Sequence, residues 1–152
     1  AKAILDLKLT MEYLETMGVP VLSYQSDEFP AFYTRHSGIA ANYRVDTSEE
    51  IAEIIHAKWE LGLEGGLIIG NPVPEKDSMD PAEMRKAVDV ALREAYEKGV
   101  KGKDVTPFLL DRMKVLTKGE SLESNIALIK NNARLGAQIA DLPCVRRSLL
   151  SR

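Results

Sequence analysis

The sequence predicts an α/β protein of the layered α/β/α kind, and three observations carry that prediction. Helical and strand-like patterns alternate through the first half of the chain. The strand-like segments are short apolar runs closed off by glycine, proline or asparagine, as in a sheet buried on both faces. The second half is a succession of amphipathic helical segments with no repeat, low-complexity tract or polar linker between them, which lays those helices against the sheet of the first half. At 152 residues, 45% hydrophobic and 28% charged, the chain is long enough for one such domain or for part of a larger one.

Taken in order, residues 3–17 set Ile4, Leu7, Met11 and Leu14 on one helical stripe, and Gly18 with Pro20 ends the helix. Residues 20–25 are β-prone and lead into a turn at 26–30. Residues 31–38 fit neither period, and 42–45 read as a short edge strand. Asp46, as an N-cap with Glu49 three residues on, opens a second helix in which Ile51, Ile55 and Trp59 recur until Gly62. Residues 66–70 are a brief apolar run ahead of Asn71-Pro72, a buried strand opening into a loop. Asp80-Pro81 is an N-cap followed by proline at the first helical position, and that helix reaches Gly99. Thr106-Pro107 repeats the device for a helix to about Thr117, closed by Gly119. The last helix runs from Ser121 until Pro143 stops it.

Composition excludes several classes of function. No run approaches the roughly 20 apolar residues of a membrane helix, and no leader pattern opens the chain, so a cytoplasmic protein is expected, or an organellar one in a eukaryote. A formal net charge of -3 argues against a nucleic acid polymer as partner, which calls for a basic stripe or patch. The single cysteine, Cys144, has no disulfide partner, and His36 and His56 fall at unrelated positions that make no zinc-type ligand set. Asp27 and Glu28 point apart and read as turn formers ahead of Phe29-Pro30 in preference to an acid–base pair. Gly62, Gly65 and Gly66 precede a strand instead of following one, so they make no phosphate-binding loop, and Lys98, Lys101 and Lys103 read as a solvated helix end. The chain also opens already in a helical pattern, with no preceding cap or turn, as a cut chain would.

Two features depart from a plain packed core. On a wheel of the final helix, Leu122, Ile126, Leu128, Ile129, Ala133, Leu135, Gly136, Ile139 and Ala140 fill one arc. Asn125 and Asn132 fall near the middle of that arc, whereas Asn131 falls on the polar side. An asparagine buried without partners costs roughly 1 to 3 kcal/mol, so the two amides either bond to a neighbouring loop or face a ligand with polar edges. The second feature is Lys2. At the start of an apolar helix its charge opposes the positive end of the helix dipole, which lowers its pKa and favours the neutral, nucleophilic amine. A solvated terminal lysine is the plainer reading of the same residue.

Several long motifs bring the chain close to a known family. They are Ala1-Lys-Ala-Ile-Leu-Asp6, Thr10-Met-Glu-Tyr-Leu-Glu-Thr16, Tyr24-Gln-Ser-Asp-Glu-Phe-Pro-Ala-Phe-Tyr33, Ala57-Lys-Trp-Glu-Leu-Gly62, Val105-Thr-Pro-Phe-Leu-Leu110 and Ser121-Leu-Glu-Ser-Asn-Ile-Ala-Leu-Ile-Lys-Asn-Asn-Ala-Arg-Leu135. In order and spacing they resemble the C-terminal half of the pseudouridine-5'-phosphate glycosidases, the indigoidine synthase A family. The resemblance covers residues 1–142 and leaves 143–152 as a divergent tail.

The resemblance implies an enzyme of the carbon-oxygen lyase or glycosidase type, a homotrimer, that reversibly splits the C–C glycosidic bond of pseudouridine 5'-phosphate into uracil and ribose 5-phosphate. It implies that Lys2 attacks C1' of the ring-opened ribose and holds it as a Schiff base, and that Asn125, with Asn132 as the fallback, lies near the pyrimidine. It also implies a divalent metal, manganese, whose aspartate ligand belongs to the preceding half together with the general acid and the phosphate-binding lysine. None of those three residues has a counterpart here, so the chain should be inactive without the missing N-terminal half. The alternative is a catalytically inactive remnant or binding module that keeps the fold.

Overall fold

The computed structural model describes residues 6–150, with side chains described to Arg146. Val21–Tyr24, Tyr43–Val45 and Ile68–Gly70 form strands β1, β2 and β3 of a wholly parallel sheet in the order β2-β1-β3. Leu22 stands opposite Tyr43 on one side and Ile69 on the other. Because successive side chains of a strand point to opposite faces, this register sorts the apolar residues into two layers. Val21 and Ile68 face helix α1 (Leu7–Thr16), where Met11, Leu7 and Leu14 pack with Phe29 and Ile39. Leu22, Val45 and Ile69 face helices α2 (Ser48–Glu60), α5 (Glu120–Asp141) and α6 (Pro143–Leu150), through Ile51, Ile55, Leu135, Ile139 and Val145. The expected α/β/α layering is therefore present. Ile51 is wholly buried in it; truncation to alanine of an isoleucine so placed costs roughly 2–5 kcal/mol.

Helices α3 (Pro81–Glu97) and α4 (Val105–Leu116) depart from the expected plan, in which all later helices cover the sheet. They pack on each other and on Tyr33 through Met84, Ala91, Ala95, Leu109 and Met113, a core cluster without a strand residue. Burial there pushes the Tyr33 phenol up to about 12. An ion pair between Arg112 Nε and Glu94, 2.6 Å long, fastens the two helices together.

Local chemistry explains where the elements begin. Helix α1 starts at Leu7, later than expected, because the Asp6 carboxylate accepts from Leu9 N–H at 3.0 Å and caps it there. The cap of α2 is Thr47, not Asp46: Thr47 Oγ1 accepts from Glu50 N–H at 3.1 Å, and the Glu50 carboxylate accepts from the backbone N–H groups of Asp46 and Thr47. Asp46 is drawn away by Arg44, 2.8 Å distant. Asp80 caps α3 as expected, accepting from Ala82 and Glu83 N–H. Helix α4 begins at Val105 instead of behind Thr106, since a 3-10 turn at Gly102–Asp104 runs straight into it. Pro107 still falls in the first turn, where its missing N–H has no partner to lose.

Two further joints matter. Gly119, at φ +97, reverses the chain between α4 and α5, a conformation that L side chains rarely adopt. The stop expected at Pro143 is present, since α5 ends at Asp141 and Leu142 is extended, and Pro143 also takes the first position of α6, which suits its fixed φ. Val145 then buries itself against α2 and α5. Between α2 and β3, Lys58 is only 8% exposed, and its ammonium donates to the carbonyls of Leu63, Glu64 and Gly65 at 2.8, 2.7 and 2.9 Å. No helix among the described residues is long and apolar enough to cross a membrane.

Candidate functional site at the end of β3

In open parallel sheets, ligands collect beyond the carboxyl ends of the strands, where loops diverge and backbone groups face outward. Here β3 ends at Gly70. A Cβ on that residue would stand 2.9 Å from Pro30 Cδ and 3.4 Å from the Leu22 carbonyl, so glycine is what lets the Phe29-Pro30 segment close over the strand. Phe32 follows at φ +67, a left-handed conformation rare for an aromatic residue. These residues, with Asn71, Leu128 and Asn132, surround a cavity of about 220 Å³. Small-molecule sites run to roughly 300–1,000 Å³, so this is one compartment of a site and not a whole one.

Asn71 and Asn132 give the cavity its polar wall and, with Asn131 behind them, form a relay of three amides. Asn131 Nδ2 donates to the Pro72 carbonyl at 3.1 Å and to Asn71 Oδ1 at 3.2 Å. Asn71 Nδ2 in turn donates to Asn132 Oδ1 at 3.1 Å. Of the three, Asn132 is the candidate named from the sequence; Asn71 and Asn131 are additions. The helical wheel puts Asn131 on the polar side of α5, yet it is half-buried and anchors the relay.

That difference comes from how α5 sits. Its buried line is Ser121, Ser124, Leu128, Leu135 and Ile139, while Leu122, Ile126 and Ile129 are 41%, 45% and 59% exposed. The expected apolar arc is thus split: its Leu128 edge faces the protein and its Ile129 edge faces out. Asn125 stands half-buried along the divide, two turns before the exposed Asn132. No hydrogen bond ties Asn125 to any described residue, so of the two explanations for this amide the neighbouring-loop one finds no support here.

Lys2 lies outside the described residues. Asp6, which closes its motif, stands on the wall of a second cavity of about 380 Å³ that also meets Thr34, His36, Arg85 and Asp89. Glu28, bonded to the Ser37 and His36 that line this cavity, does what a turn former does. Its carboxylate accepts from the N–H groups of Ser37 and Gly38, both at 2.8 Å, and lies 3.4 Å from His36 Nδ1. The Gly38 N–H, helped by Ser37 and His36 and opposed by desolvation, holds this carboxyl below its ordinary range. A depressed folded-state value adds stability that is complete above the unfolded pKa and lost as pH falls through the folded one. Glu28→Gln is therefore expected to narrow its melting-temperature deficit against wild type between about pH 6 and about pH 3.5. A gap independent of pH in thermal melts would contradict that. Asp27 pairs with Arg44 at 2.8 Å and His56 with Glu60 at 3.2 Å, so neither forms part of an acid–base constellation. Among the described residues no three of His, Cys, Asp and Glu converge so as to hold a metal ion.

Comparison with known proteins agrees with the motifs. Proteins named pseudouridine-5'-phosphate glycosidase are close in sequence: that of Caldanaerobacter subterraneus subsp. tengcongensis is 56% identical over 140 residues, 92% of this chain and 46% of the relative. That of Petrotoga mobilis is 57% identical over 139 residues, 91% of this chain and 45% of the relative. Among solved structures, an indigoidine synthase A-like protein of Thermotoga maritima aligns with a TM-score of 0.82 at 37% identity, over 91% of this chain and 46% of that one. A prealnumycin C-glycosynthase in complex with ribulose 5-phosphate aligns with a TM-score of 0.85 at 30% identity, over 100% of this chain and 49% of that one. The chain spans about half the length of the curated relatives it matches. The family described as indigoidine synthase A like protein matches residues 1–142, and with the layered fold and the motifs in register with it, this chain belongs to that family.

Proposed function

We propose that this chain is the part of a pseudouridine-5'-phosphate glycosidase that carries the Schiff-base lysine, working with a segment that supplies the remaining half of its relatives' length. The observation that carries this reading is the identity of more than half of 140 aligned residues to proteins of that name. The exposed stripe of Leu122, Ile126 and Ile129 supports it, because a contiguous apolar surface of this kind is one that another segment or subunit covers.

In this reading, uracil and ribose 5-phosphate are the products, and Lys2 supplies the electron pair that expels the pyrimidine from the sugar carbon. Its neutral amine bonds to C1' in exchange for the ring oxygen, whose bond to C1' breaks as the oxygen gains a proton and the nitrogen loses one. The nitrogen lone pair then becomes the C=N bond of an iminium as the bond to the pyrimidine breaks. The electron pair of that bond stays on the pyrimidine carbon, which takes a proton, and water releases the sugar and regenerates the amine. Asn125, half-buried and without a hydrogen-bond partner among the described residues, contacts the pyrimidine, and Asn132 lies two turns along the same side. The general acid, the phosphate ligands and any divalent metal, manganese in the family resemblance, belong to the other half. The described residues do not fit a metal ion, and no step here runs through one. A cytoplasmic homotrimer is the assembly this reading carries with it.

The test is reconstitution. The chain alone is expected to release no uracil from pseudouridine 5'-phosphate, and the chain assembled with the complementary half to turn it over. Full turnover by the chain alone would refute the need for a second half. No turnover by the assembly would favour the non-catalytic module. In the active assembly, Asn125→Ala should weaken uracil binding by about fivefold to tenfold and ribose 5-phosphate binding by less; equal losses would return Asn125 to a structural role.

A further inference from the structure

The amide relay at the end of β3 has a direction, and that direction is set by a group that cannot be turned around. The Pro72 carbonyl only accepts, so the Asn131 atom facing it is Nδ2. That same nitrogen faces Asn71, which must present Oδ1 to it. Asn71 therefore turns Nδ2 toward Asn132, and Asn132 answers with Oδ1. Each assignment follows from the one before, and at the end of the chain the Asn132 Nδ2, with both its hydrogens unused by any described residue, is left on the open side beside the cavity.

We infer that Asn71 is a positioning residue that fixes Asn132 as a donor, so that Asn132 receives an oxygen acceptor of the substrate: a carbonyl of the pyrimidine, or an oxygen of the sugar phosphate. The inference rests on the proposed function and adds to it a role for Asn71 and a polarity for Asn132. An asparagine free to rotate would present either end of its amide; one wired to a backbone carbonyl through two other amides keeps its Nδ2 turned away from the relay, where it donates to an acceptor. The isolation of the relay supports a positioning role over a packing one. Asn132 is exposed, so its orientation contributes little to the core.

Two variants test this in the assembled, active protein. Asn71→Asp keeps an oxygen for Asn131 but presents a second oxygen to Asn132, which must turn its Nδ2 inward and offer Oδ1 to the substrate. Asn71→Leu removes the constraint without adding charge. Binding of one of the two products should weaken by about tenfold in Asn71→Asp and about threefold in Asn71→Leu, with KM raised in step and kcat changed by less than about twofold. Loss on uracil alone identifies a pyrimidine carbonyl as the acceptor, and loss on ribose 5-phosphate alone, seen in both variants, identifies a sugar or phosphate oxygen. Unchanged binding, or equal weakening of both products, overturns the inference while wild-type turnover leaves the function standing. No turnover by the wild-type assembly overturns both.

Discussion

Replacing Lys58 by methionine is expected to lower the stability of this chain by about 2–4 kcal/mol, a fall of roughly 5–15 °C in melting temperature. The size follows from what the ammonium does. Three successive carbonyls, those of Leu63, Glu64 and Gly65, turn inward to one nitrogen. Methionine preserves the length and apolar contacts of the stem but supplies no donor, so the carbonyls must swing back to water or stay unpaired. Swinging back would unwind the turn that delivers the chain to β3. Chemical denaturation of the two proteins measures the difference directly, and a loss below about 0.5 kcal/mol would show that the loop holds its shape without the lysine.

Lys2→Ala is expected to abolish the covalent adduct that borohydride traps with ribose 5-phosphate in the assembled enzyme, and to reduce turnover by about a thousandfold or more. Lys2→Arg should be no better. A guanidinium keeps the charge, but it is protonated at any working pH and forms no imine. The distinction separates a nucleophile from a cation that only binds phosphate, for which arginine would substitute in part. Peptide mass spectrometry locates the adduct; a trapped sugar on any other lysine, or an adduct surviving in Lys2→Ala, would remove the nucleophile assignment.

How much of this could be read from the residues alone depends on the range of the interaction. The capping signals act over three or four residues, and Asp80-Pro81 and Gly119 announce their boundaries faithfully. At α2 the sequence favours Asp46 over Thr47 as the cap, and the order is reversed because Arg44 engages the aspartate. That the sheet is covered on both faces follows from the short apolar runs at 20–25 and 66–70, closed off by turn residues. The orientation of α5 does not follow. A hydropathy wheel finds a single apolar arc and misses that small, polar Ser121 and Ser124 form the buried side, where they allow close approach, while three larger aliphatic residues are left outside. For the site, the resemblance singles out Lys2, Asn125 and Asn132, each inside a recognisable motif. Asn71 belongs to no such motif; its signal is only its place, directly after a strand. Its partners lie at the far end of the chain, and only the folded sheet brings the two ends together.

The order β2-β1-β3 sets a timetable for biosynthesis. Of the three described strands β1 is made first yet lies between the other two, so both of its partners in this sheet are made after it. The first follows only after a long irregular loop, and the second only after the whole of α2 has been made. Parallel pairing across such separations is slow, and an unpaired apolar strand is a template for pairing with other chains. The interval between synthesis of Tyr24 and of Gly70 is the window in which β1 waits for its two partners in this sheet. Slowing translation within that window should therefore lower soluble yield more than slowing it anywhere in the helices that follow.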